Sequence, residues 1–313
     1  MKTVQLSYPL PEQLETAPCA MAVGFFDGVH LGHRRVIQKA IDVASANGWQ
    51  SAVMTFDPHP REVLGQSGYT RYLTPLPDKL EQLEKMGVDT TYVMKFDIGF
   101  SAVYPEDFVA ECLLPLQARH IVVGFDYTFG YRGMGTAQTL QELSRGRYGL
   151  DIISPVNRYG EKISSTVIRE YLHHGDVEQV RHLLGRPYRV KGTVVHGDKR
   201  GRTIGFPTAN IALTEPYLVG KNGVYGVRFI LDGQRYNGVM NIGIKPTFAL
   251  EKKEKSLEVH VFDFDREIYG KDVQIEFLFA LREEQKFSGV DALIAQIQKD
   301  VETAKQKFAS GHY

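Results

Sequence analysis

The stretch GFFDGVHLGH, residues 24–33, places two histidines three positions apart directly after a glycine-rich turn. An apolar run (19–26) leads into it, and an amphipathic pattern (33–46) follows it. This order predicts a strand, a tight turn and a helix, with His30 and His33 at the helix start, where free backbone N–H groups attract anions. One interpretation is a loop with two surface imidazoles. The other is a cradle for phosphate.

The segments around this stretch repeat its pattern of apolar strands and amphipathic helices. The strand candidates are 19–26, 51–56, 90–96, 119–125 and 150–154. Near-continuous apolar strands that alternate with helices predict a doubly wound parallel α/β sheet. Ligands of such sheets bind at the carboxyl ends of the strands, which is where residues 24–33 are expected to lie.

The pattern changes near Arg186. Short strand-like segments follow at close spacing, with turns such as Leu-Asp-Gly-Gln at 231–234, and they predict an antiparallel β-barrel. Apolar residues then recur at helical spacing over 290–308, which predicts a terminal amphipathic helix. We therefore expect an α/β fold with two domains, residues 1–185 and 186–313.

Composition narrows the class of protein. The 313 residues are 43% hydrophobic and 24% charged, with 37 Lys plus Arg against 37 Asp plus Glu. This neutral, globular balance gives no reason to expect a nucleic acid or a membrane as the main partner. Cys19 and Cys112 lie in apolar stretches, so we expect buried free thiols. The first residues have no apolar signal segment, so we expect a cytoplasmic protein; the oligomeric state stays open.

The sheet context favours the phosphate interpretation of the opening stretch. Helix positions i and i+3 share a face, so His30 and His33 are expected to point at one ligand. Gly32 between them allows a close approach to the backbone. The chain lacks GxxxxGK[ST], and GxGxxG is missing where a dinucleotide fold requires it. A P-loop and an NAD site are therefore disfavoured.

A second anion-directed segment is ISSTVIR, residues 163–169. Ser164, Ser165 and Thr166 open a predicted helix, and Arg169 follows one turn later. Hydroxyls and amides at a helix start bind anions, and an arginine adds a fixed charge. The alternative is an ordinary helix cap followed by a solvated arginine.

The barrel half carries HGDKRGRTIGFPTAN, residues 196–210, in which glycines and basic side chains precede PTAN. Thr208 and Asn210 offer oxygen ligands, which Mg²⁺ prefers together with substrate phosphates. The candidate nucleotide-binding residues are Gly197, Lys199, Arg202, Thr208 and Asn210. The alternative is a solvated turn; PTAN favours a nucleotide loop.

Glu258 lies in the strand candidate LEVHVFDFD, residues 257–265. Strand alternation places Glu258, His260 and Phe262 on one face, and Glu258 could accept a proton from a substrate hydroxyl there. Alternation alone favours the simpler interpretation of an exposed strand residue.

The motifs together resemble a known family. GFFDGVHLGH and ISSTVIR resemble the nucleotidyltransferases that join a nucleoside monophosphate to a phosphorylated acceptor. TFDPHP (55–60) and GFDYTFG (124–130) narrow the resemblance. With the second half, nearly the whole chain resembles the bacterial bifunctional riboflavin kinases/FMN adenylyltransferases, also called FAD synthetases. That family commonly has a phenylalanine where Tyr127 stands.

The resemblance implies roles for residues of the first domain. ATP phosphates would be bound by His30, His33, Ser165, Thr166 and Arg169. The nucleotide pocket would be shaped by Gly24, Phe25, Asp27 and Gly28. Near the flavin phosphate or the reacting groups would lie Phe56, Pro58, His59 and Asp126. For Phe56, a plain core role stays open.

In the second domain the resemblance implies that Glu258 is the base for the ribityl 5′-hydroxyl. NIGIKPTF (241–248) and LREEQKF (281–287) also match the family, with Arg282 and Phe287 bordering the flavin or a flap. The expected substrates are riboflavin, FMN and ATP, with Mg²⁺ as the metal and flavins as substrate and product. Two alternatives stay open: a different adenylyl- or cytidylyltransferase with a ligand-binding barrel, and a flavin carrier without turnover.

Overall fold

The computed structural model describes all residues except 67, 159, 198–200, 202–203, 246–253 and 312–313. Contacts divide the chain into two compact units, Met1–Ser165 and Thr166–Tyr313. The first unit is built on a parallel sheet covered by helices, and the second contains a closed antiparallel barrel and a terminal helix. The predicted fold class is confirmed.

In the described part of the first unit, six of ten strands form the main sheet. The strands are β1 Lys2–Leu6, β2 Cys19–Val23, β3 Gln50–Asp57, β4 Thr90–Lys95, β5 Ala118–Gly124, β6 Thr128–Phe129, β7 Gly135–Thr136, β8 Gly149–Ile153, β9 Asn157–Arg158 and β10 Glu161–Lys162. The parallel sheet has the order β1-β4-β3-β2-β5-β8, and β6–β7 and β9–β10 form two short antiparallel pairs. The sequence analysis missed β1, an edge strand whose side chains are mostly exposed and therefore carry little apolar signal.

Helices cover both faces of this sheet. The helices described in the first unit are α1 Leu31–Asn47, α2 Pro60–Val63, α3 Leu76–Lys85, α4 Ile98–Ser101, α5 Pro105–Asp107, a π-helix Phe108–Leu113, a 3₁₀-helix Tyr131–Gly133 and α6 Ala137–Ser144. Helix α7 Ser165–His174 begins at the last residue of this unit and otherwise belongs to the second. Residues of α1 and α3 pack on the face that contains Ala22 and Val53. The π-helix and α6 pack on the face that contains Met21 and Met54.

The strand order places the candidate motif at the reversal point of the sheet. From β2 the chain proceeds outward through β3 and β4, and it then returns to add β5 on the other side of β2. In open α/β sheets, ligands bind where the strand order reverses, at the carboxyl ends of the strands. Residues 24–33 follow β2 directly, and GFDYTFG (124–130) begins at the last residue of β5.

The second unit contains a six-stranded closed barrel. Its strands are β11 Tyr188–Val195, β12 Ala209–Leu213, β13 Gly223–Leu231, β14 Gln234–Lys245, β15 Glu254–Val261 and β16 Asp272–Glu283. They close in the order β11-β12-β15-β14-β13-β16, and every pair is antiparallel. The predicted turn at 231–234 joins β13 to β14, with Asp232 and Gly233 at φ 49° and 77°, the left-handed pair that a tight hairpin requires.

Two helices pack on the barrel. They are α8 Val177–Leu184 and α9 Val290–Ser310. Asp176 caps α8 and Gly185 ends it at φ 70°, as the sequence predicts. The α9 residues Ala304 and Phe308 pack against Phe262 and Phe279, as expected for an amphipathic terminal helix. In the described part of the chain, none of the helices combines the length and apolar character needed to cross a membrane.

Candidate active sites

The two histidines of the opening stretch form one stacked pair at the start of α1. His30 is the N-cap, and its Nδ1 accepts the backbone N–H of His33 at 3.2 Å. The two rings lie 3.5 Å apart at 19°, and His30 is only 4% exposed. The His30 ring packs closely on Gly32, where a Cβ would lie 3.1 Å from the ring. The interpretation of two surface imidazoles in a loop is therefore wrong for His30.

The turn between β2 and α1 has an unusual backbone. Phe26, Gly28 and Val29 have φ values of 58°, 88° and 42°. The left-handed conformation is unfavourable for residues with a Cβ by about 1–2 kcal/mol, so Phe26 and Val29 must be held by their surroundings. At position 24 a side chain would not fit without a shift of the Phe26 ring, because a Cβ there would lie 2.8 Å from it.

Long-range hydrogen bonds hold this turn. The buried Asp27 carboxylate accepts the backbone N–H of Thr74 at 3.0 Å. The Asp27 carbonyl accepts the hydroxyl of Ser165 at 2.9 Å, which joins the first motif to the beginning of ISSTVIR. Thr166 and Arg169 follow Ser165 on α7 and belong to the second unit. The structure thus brings Ser165 into contact with the first motif.

A buried lysine that the sequence analysis missed lies under the same turn. The Lys79 ammonium, on α3, donates to the Phe25 carbonyl at 2.7 Å and to the Thr55 hydroxyl at 3.1 Å. Burial lowers the pKa of Lys79 to about 8, although the charges of Asp27 and Asp57 act against this shift. Burial in turn raises the pKa of Asp57, opposed by the charge of Lys79. No sequence pattern marks Lys79, because a lysine in an amphipathic helix is normally solvated.

Aromatic rings connect the opening stretch to TFDPHP. The ring of Phe25 lies 4.0 Å from that of His59 and 6.2 Å from that of Tyr72. His59 is buried, and Pro58 precedes it in a half-buried position. The predicted nucleotide residue Phe25 and the predicted flavin residue His59 are therefore direct neighbours.

The other predicted flavin residues of the first unit lie in different surroundings. Phe56 is buried in the main apolar cluster, with ring centroids 6.3 Å from Phe96 and 6.1 Å from Phe100. Asp126 is exposed just beyond β5, and its carboxylate contacts the Lys162 ammonium at 2.9 Å. Phe56 thus has the packing of a core aromatic, and Asp126 already has a cationic partner.

In the barrel, strand register aligns the predicted metal and base residues. Asn210 on β12 is the direct partner of Glu258 on β15, and Glu258 is also paired with Asn241 on β14. Directly paired residues of antiparallel strands have side chains on one face, with Cβ atoms about 5 Å apart. Leu257 and Val259 are buried, whereas Glu258 is half-exposed, so its carboxylate lies on the outer face.

The oxygen-bearing side chains near the Asn210–Glu258 pair are of the type that binds a hard cation. In the described part of the chain, no cluster of three or more His, Cys, Asp or Glu side chains could hold a metal ion. Thr208 and Asn210 supply hydroxyl and amide oxygens, which is the donor type that Mg²⁺ takes when substrate phosphates complete its shell. Gly197 leaves room for the Asn210 side chain, because a Cβ at position 197 would overlap it. Lys199 and Arg202 lie outside the described residues.

A cavity of about 300 Å³ opens beside the Asn210–Glu258 pair. Its wall includes Thr208, whereas Asn210 and Glu258 are not part of it. The remaining lining residues are Val194, Pro207, Ala209, Val259, Val261, Phe264, Asp265, Arg266, Glu267, Ile268 and Tyr269. The sequence analysis missed the loop 264–269, because nothing in its composition distinguishes it from a solvated turn between two strands.

The predicted flavin residue Arg282, near the end of β16, is held by α9. The Arg282 guanidinium contacts both oxygens of the buried Asp300 carboxylate, at 2.9 and 3.1 Å from Nε and 2.8 Å from Nη2. Gln296 donates to the same carboxylate at 2.8 Å. The ring of Phe287 lies 5.6 Å from the guanidinium carbon. Arg282 and Phe287 are therefore neighbours, and the guanidinium is already paired.

Two family models match the chain, one for each half. The model described as FAD synthetase matches residues 12–167. The model described as riboflavin kinase matches residues 184–308. The first match includes the stacked histidines, and the second includes the row of Asn210 and Glu258.

Curated relatives match the chain over its length. A bifunctional riboflavin kinase/FMN adenylyltransferase of Listeria monocytogenes is 46% identical and that of Bacillus subtilis 45%, and each match covers 99% of both chains. A crystal structure named as a macrolide-efflux protein from Streptococcus pneumoniae has a TM-score of 0.88 and 32% identity, over 96% of this chain and 99% of that one. Because relatives this similar span the chain and a family model matches each half, the chain belongs to the family of bifunctional riboflavin kinases/FMN adenylyltransferases.

Proposed function

We propose that this chain makes FAD from riboflavin in two steps, each of which consumes ATP. The barrel unit phosphorylates riboflavin to FMN, and the α/β unit adenylylates FMN to FAD. The observation that carries the proposal is that each unit has its own pair of polar side chains suited to one of the two steps. The histidine pair at the start of α1 suits adenylylation, and the Asn210–Glu258 pair on β12 and β15 suits phosphorylation.

In the kinase step, the 5′-hydroxyl of riboflavin attacks the γ-phosphorus of ATP, its proton passes to the Glu258 carboxylate, and ADP leaves. Asn210 and Thr208 would hold Mg²⁺, which would neutralise phosphate charge when bound. Cross-strand pairing supports this assignment, because it keeps the base within one strand spacing of the Asn210 amide. Gly197, Lys199 and Arg202 complete the proposed ATP loop.

In the adenylylation step, a phosphate oxygen of FMN attacks the α-phosphorus of ATP, and pyrophosphate leaves. The imidazoles of His30 and His33 and the N–H groups at the start of α1 stabilise the charge that develops on the leaving group. Phosphoryl and nucleotidyl transfer depend mainly on positioning and charge neutralisation, so no covalent enzyme intermediate is required. Ser165, Thr166 and Arg169 are the further proposed ATP ligands.

The remaining assignments follow the same division. Gly24, Phe25, Asp27 and Gly28 shape the nucleotide pocket of the α/β unit. The proposed flavin contacts are Phe56, Pro58, His59, Asp126, Arg282 and Phe287. We place the boundary between the two functional domains at 185/186, close to the start of the riboflavin kinase match at residue 184. We propose a cytoplasmic location because both steps consume ATP.

A product assay tests the proposal. The purified protein is incubated with riboflavin, ATP and Mg²⁺, and the flavins are separated by chromatography over time. The proposal predicts that FMN appears first and FAD follows. FAD formed only from added FMN would mean that the barrel is a ligand-binding module on an adenylyltransferase. Tight flavin binding without turnover would identify a carrier and overturn both steps.

A further inference from the structure

Lys79 has an unusual position for its residue type. Its side chain is 2% exposed, although lysine is almost never fully buried without a partner. It lies on α3, which packs on the sheet face opposite the π-helix and α6. None of the groups assigned above to ATP or flavin is Lys79. A buried ammonium that the proposed reactions do not use requires its own explanation.

The contacts of Lys79 converge on one carbonyl oxygen. The Phe25 carbonyl accepts from the Lys79 ammonium at 2.7 Å and from the Thr55 hydroxyl at 2.9 Å. The ammonium also donates to the Thr55 hydroxyl and lies 4.0 Å from the centroid of the Phe25 ring. Two hydrogen bonds and one cation–π contact of the lysine, together with the hydrogen bond from Thr55 to Phe25, therefore tie the residues that follow β2 to the end of β3.

That carbonyl precedes the strained part of the turn. Phe26, the next residue, has φ 58°, and Val29 has φ 42° before the helix begins. The Asp27 carboxylate is tied to Thr74, which lies just before α3 in the chain. The segment 74–79 thus holds the turn at two residues, Phe25 and Asp27, on either side of Phe26. The turn ends at the histidine pair, so its conformation sets where both imidazoles lie.

An apolar side chain would fill the same space without the desolvation of a charge. Replacing buried ionic groups by apolar residues of similar volume is often neutral or stabilising, so stability alone does not explain an ammonium here. Its charge interacts favourably with the charges of Asp27 and Asp57. A hydrogen bond from Lys79 to the Phe25 carbonyl sets the orientation of the peptide between Phe25 and Phe26, where the left-handed turn begins. An apolar side chain cannot do this, because it has no donor.

We propose that Lys79 is a positioning residue for adenylyl transfer, holding the Phe25 carbonyl and so the turn that presents His30 and His33. The inference rests on the proposed function of the α/β unit. It requires no contact between Lys79 and the substrates. Its effect is transmitted through the backbone of residues 25–29.

The test compares two methionine substitutions on the same helix in the full-length protein. Lys79→Met keeps the length of the side chain and removes the donor. Lys85→Met is the control, because Lys85 is 58% exposed and is paired with Glu81 at the surface. For Lys79→Met we expect kcat for FMN adenylylation to fall about 10- to 100-fold, the effect of losing one charge-assisted hydrogen bond. KM for FMN, and both constants of the riboflavin kinase reaction, should stay within twofold, and Lys85→Met should match the wild type.

The readouts separate positioning from stability. A residue that only stabilises the fold would lower the urea midpoint and leave kcat per folded molecule unchanged, and that result would overturn the inference. If Lys79→Met does not fold, the variant Thr55→Val tests the same inference. It keeps the ammonium and removes one hydroxyl, and kcat for adenylylation should fall about fivefold; an unchanged kcat would contradict the inference. A wild-type protein that makes no FAD from FMN would instead refute the proposed function.

Discussion

The two units build their candidate sites in different ways. In the α/β unit, the polar groups are buried and are tied together by hydrogen bonds between residues far apart in the chain: Asp27 with Thr74, 47 positions away, and Phe25 with Lys79, 54 positions away. In the barrel, Asn210 and Glu258 are half-exposed and are aligned by strand pairing.

This difference predicts which substitutions will disrupt each site. A site set by strand register keeps its geometry when one side chain is changed, because the backbone ladder holds the neighbours in place. A site at the end of a strained turn depends on side chains that are not part of the chemistry, because they over-determine an unfavourable backbone. Single substitutions should therefore act locally in the barrel and at a distance in the α/β unit.

The largest expected effect is in the barrel and is confined to one reaction. Glu258→Gln should lower kcat for riboflavin phosphorylation about 10³-fold, the usual range for loss of a general base. FMN-to-FAD conversion should be unchanged, because Glu258 belongs to the barrel site. Rates of both steps, measured separately, check this. Glu276→Gln, another half-buried strand carboxylate, is the control. Loss of both activities in Glu258→Gln would contradict independent sites.

The second prediction concerns pH and the buried charge of the α/β unit. Lys79 has a pKa of about 8 in the folded chain against 10.5 as the ordinary value, so between these pH values the unfolded chain binds a proton that the folded chain does not. The free energy of unfolding should therefore rise with pH, by roughly 3 kcal/mol from pH 8 to pH 10.5. Below pH 8 the cost of burying the charge is fully present.

The measurement is a urea titration of the wild type and of Lys79→Met at several pH values. The difference between the two proteins isolates the lysine, because burial raises the pKa of Cys19 and Tyr92 to about 12 and these groups lower stability as the pH rises. A difference that stays constant from pH 8 to pH 10.5 would mean that Lys79 keeps its ordinary pKa.

The third prediction tests the histidine pair of the α/β unit. His33→Ala should slow adenylylation about 10²-fold, the scale of losing one transition-state donor, and should leave riboflavin phosphorylation unchanged. His120→Ala is the control, because His120 lies near the amino end of β5, away from the carboxyl ends of the strands, and is paired with Asp151. An unchanged adenylylation rate in His33→Ala would make the histidine purely structural.

The fourth prediction asks whether the barrel also depends on a buried charge. Asp300→Ala should lower the free energy of unfolding by about 2 kcal/mol, because it leaves the Arg282 guanidinium without its carboxylate partner. Asp263→Ala breaks the exposed contact with Lys305 at 3.7 Å and should change stability by less than about 0.5 kcal/mol. Equal effects in urea unfolding would remove the distinction between the two pairs.

The smallest expected effect compares two tyrosines of the α/β unit. In the described part of the chain, the buried Tyr127 hydroxyl has no hydrogen-bond partner, and burial raises its pKa. The Tyr148 hydroxyl donates to the Leu140 carbonyl at 2.7 Å. Tyr127→Phe should therefore stabilise the unit by about 1 kcal/mol, and Tyr148→Phe should destabilise it by about as much. Urea midpoints of the two variants check the opposite signs.

Much of the fold could be predicted because local patterns and tertiary structure agree. The apolar runs at 19–26, 51–56 and 119–125 form β2, β3 and β5, three adjacent strands of the sheet. Asp176 and Gly185 delimit α8, as their residue types indicate. The edge strand β1 was missed, since its pairing with β4 leaves most side chains exposed and so imposes no apolar pattern.

The sequence by itself determined the chemistry of the motifs: the spacing of His30 and His33, and the oxygen donors of PTAN, are visible without any coordinates. Only the tertiary structure decided what surrounds them. It placed Lys79 under the first motif, Glu258 beside Asn210, and Asp300 against Arg282. The physical reason is that a motif reports local backbone and side-chain types, whereas a buried partner is selected by packing between segments that the chain brings together only when it folds.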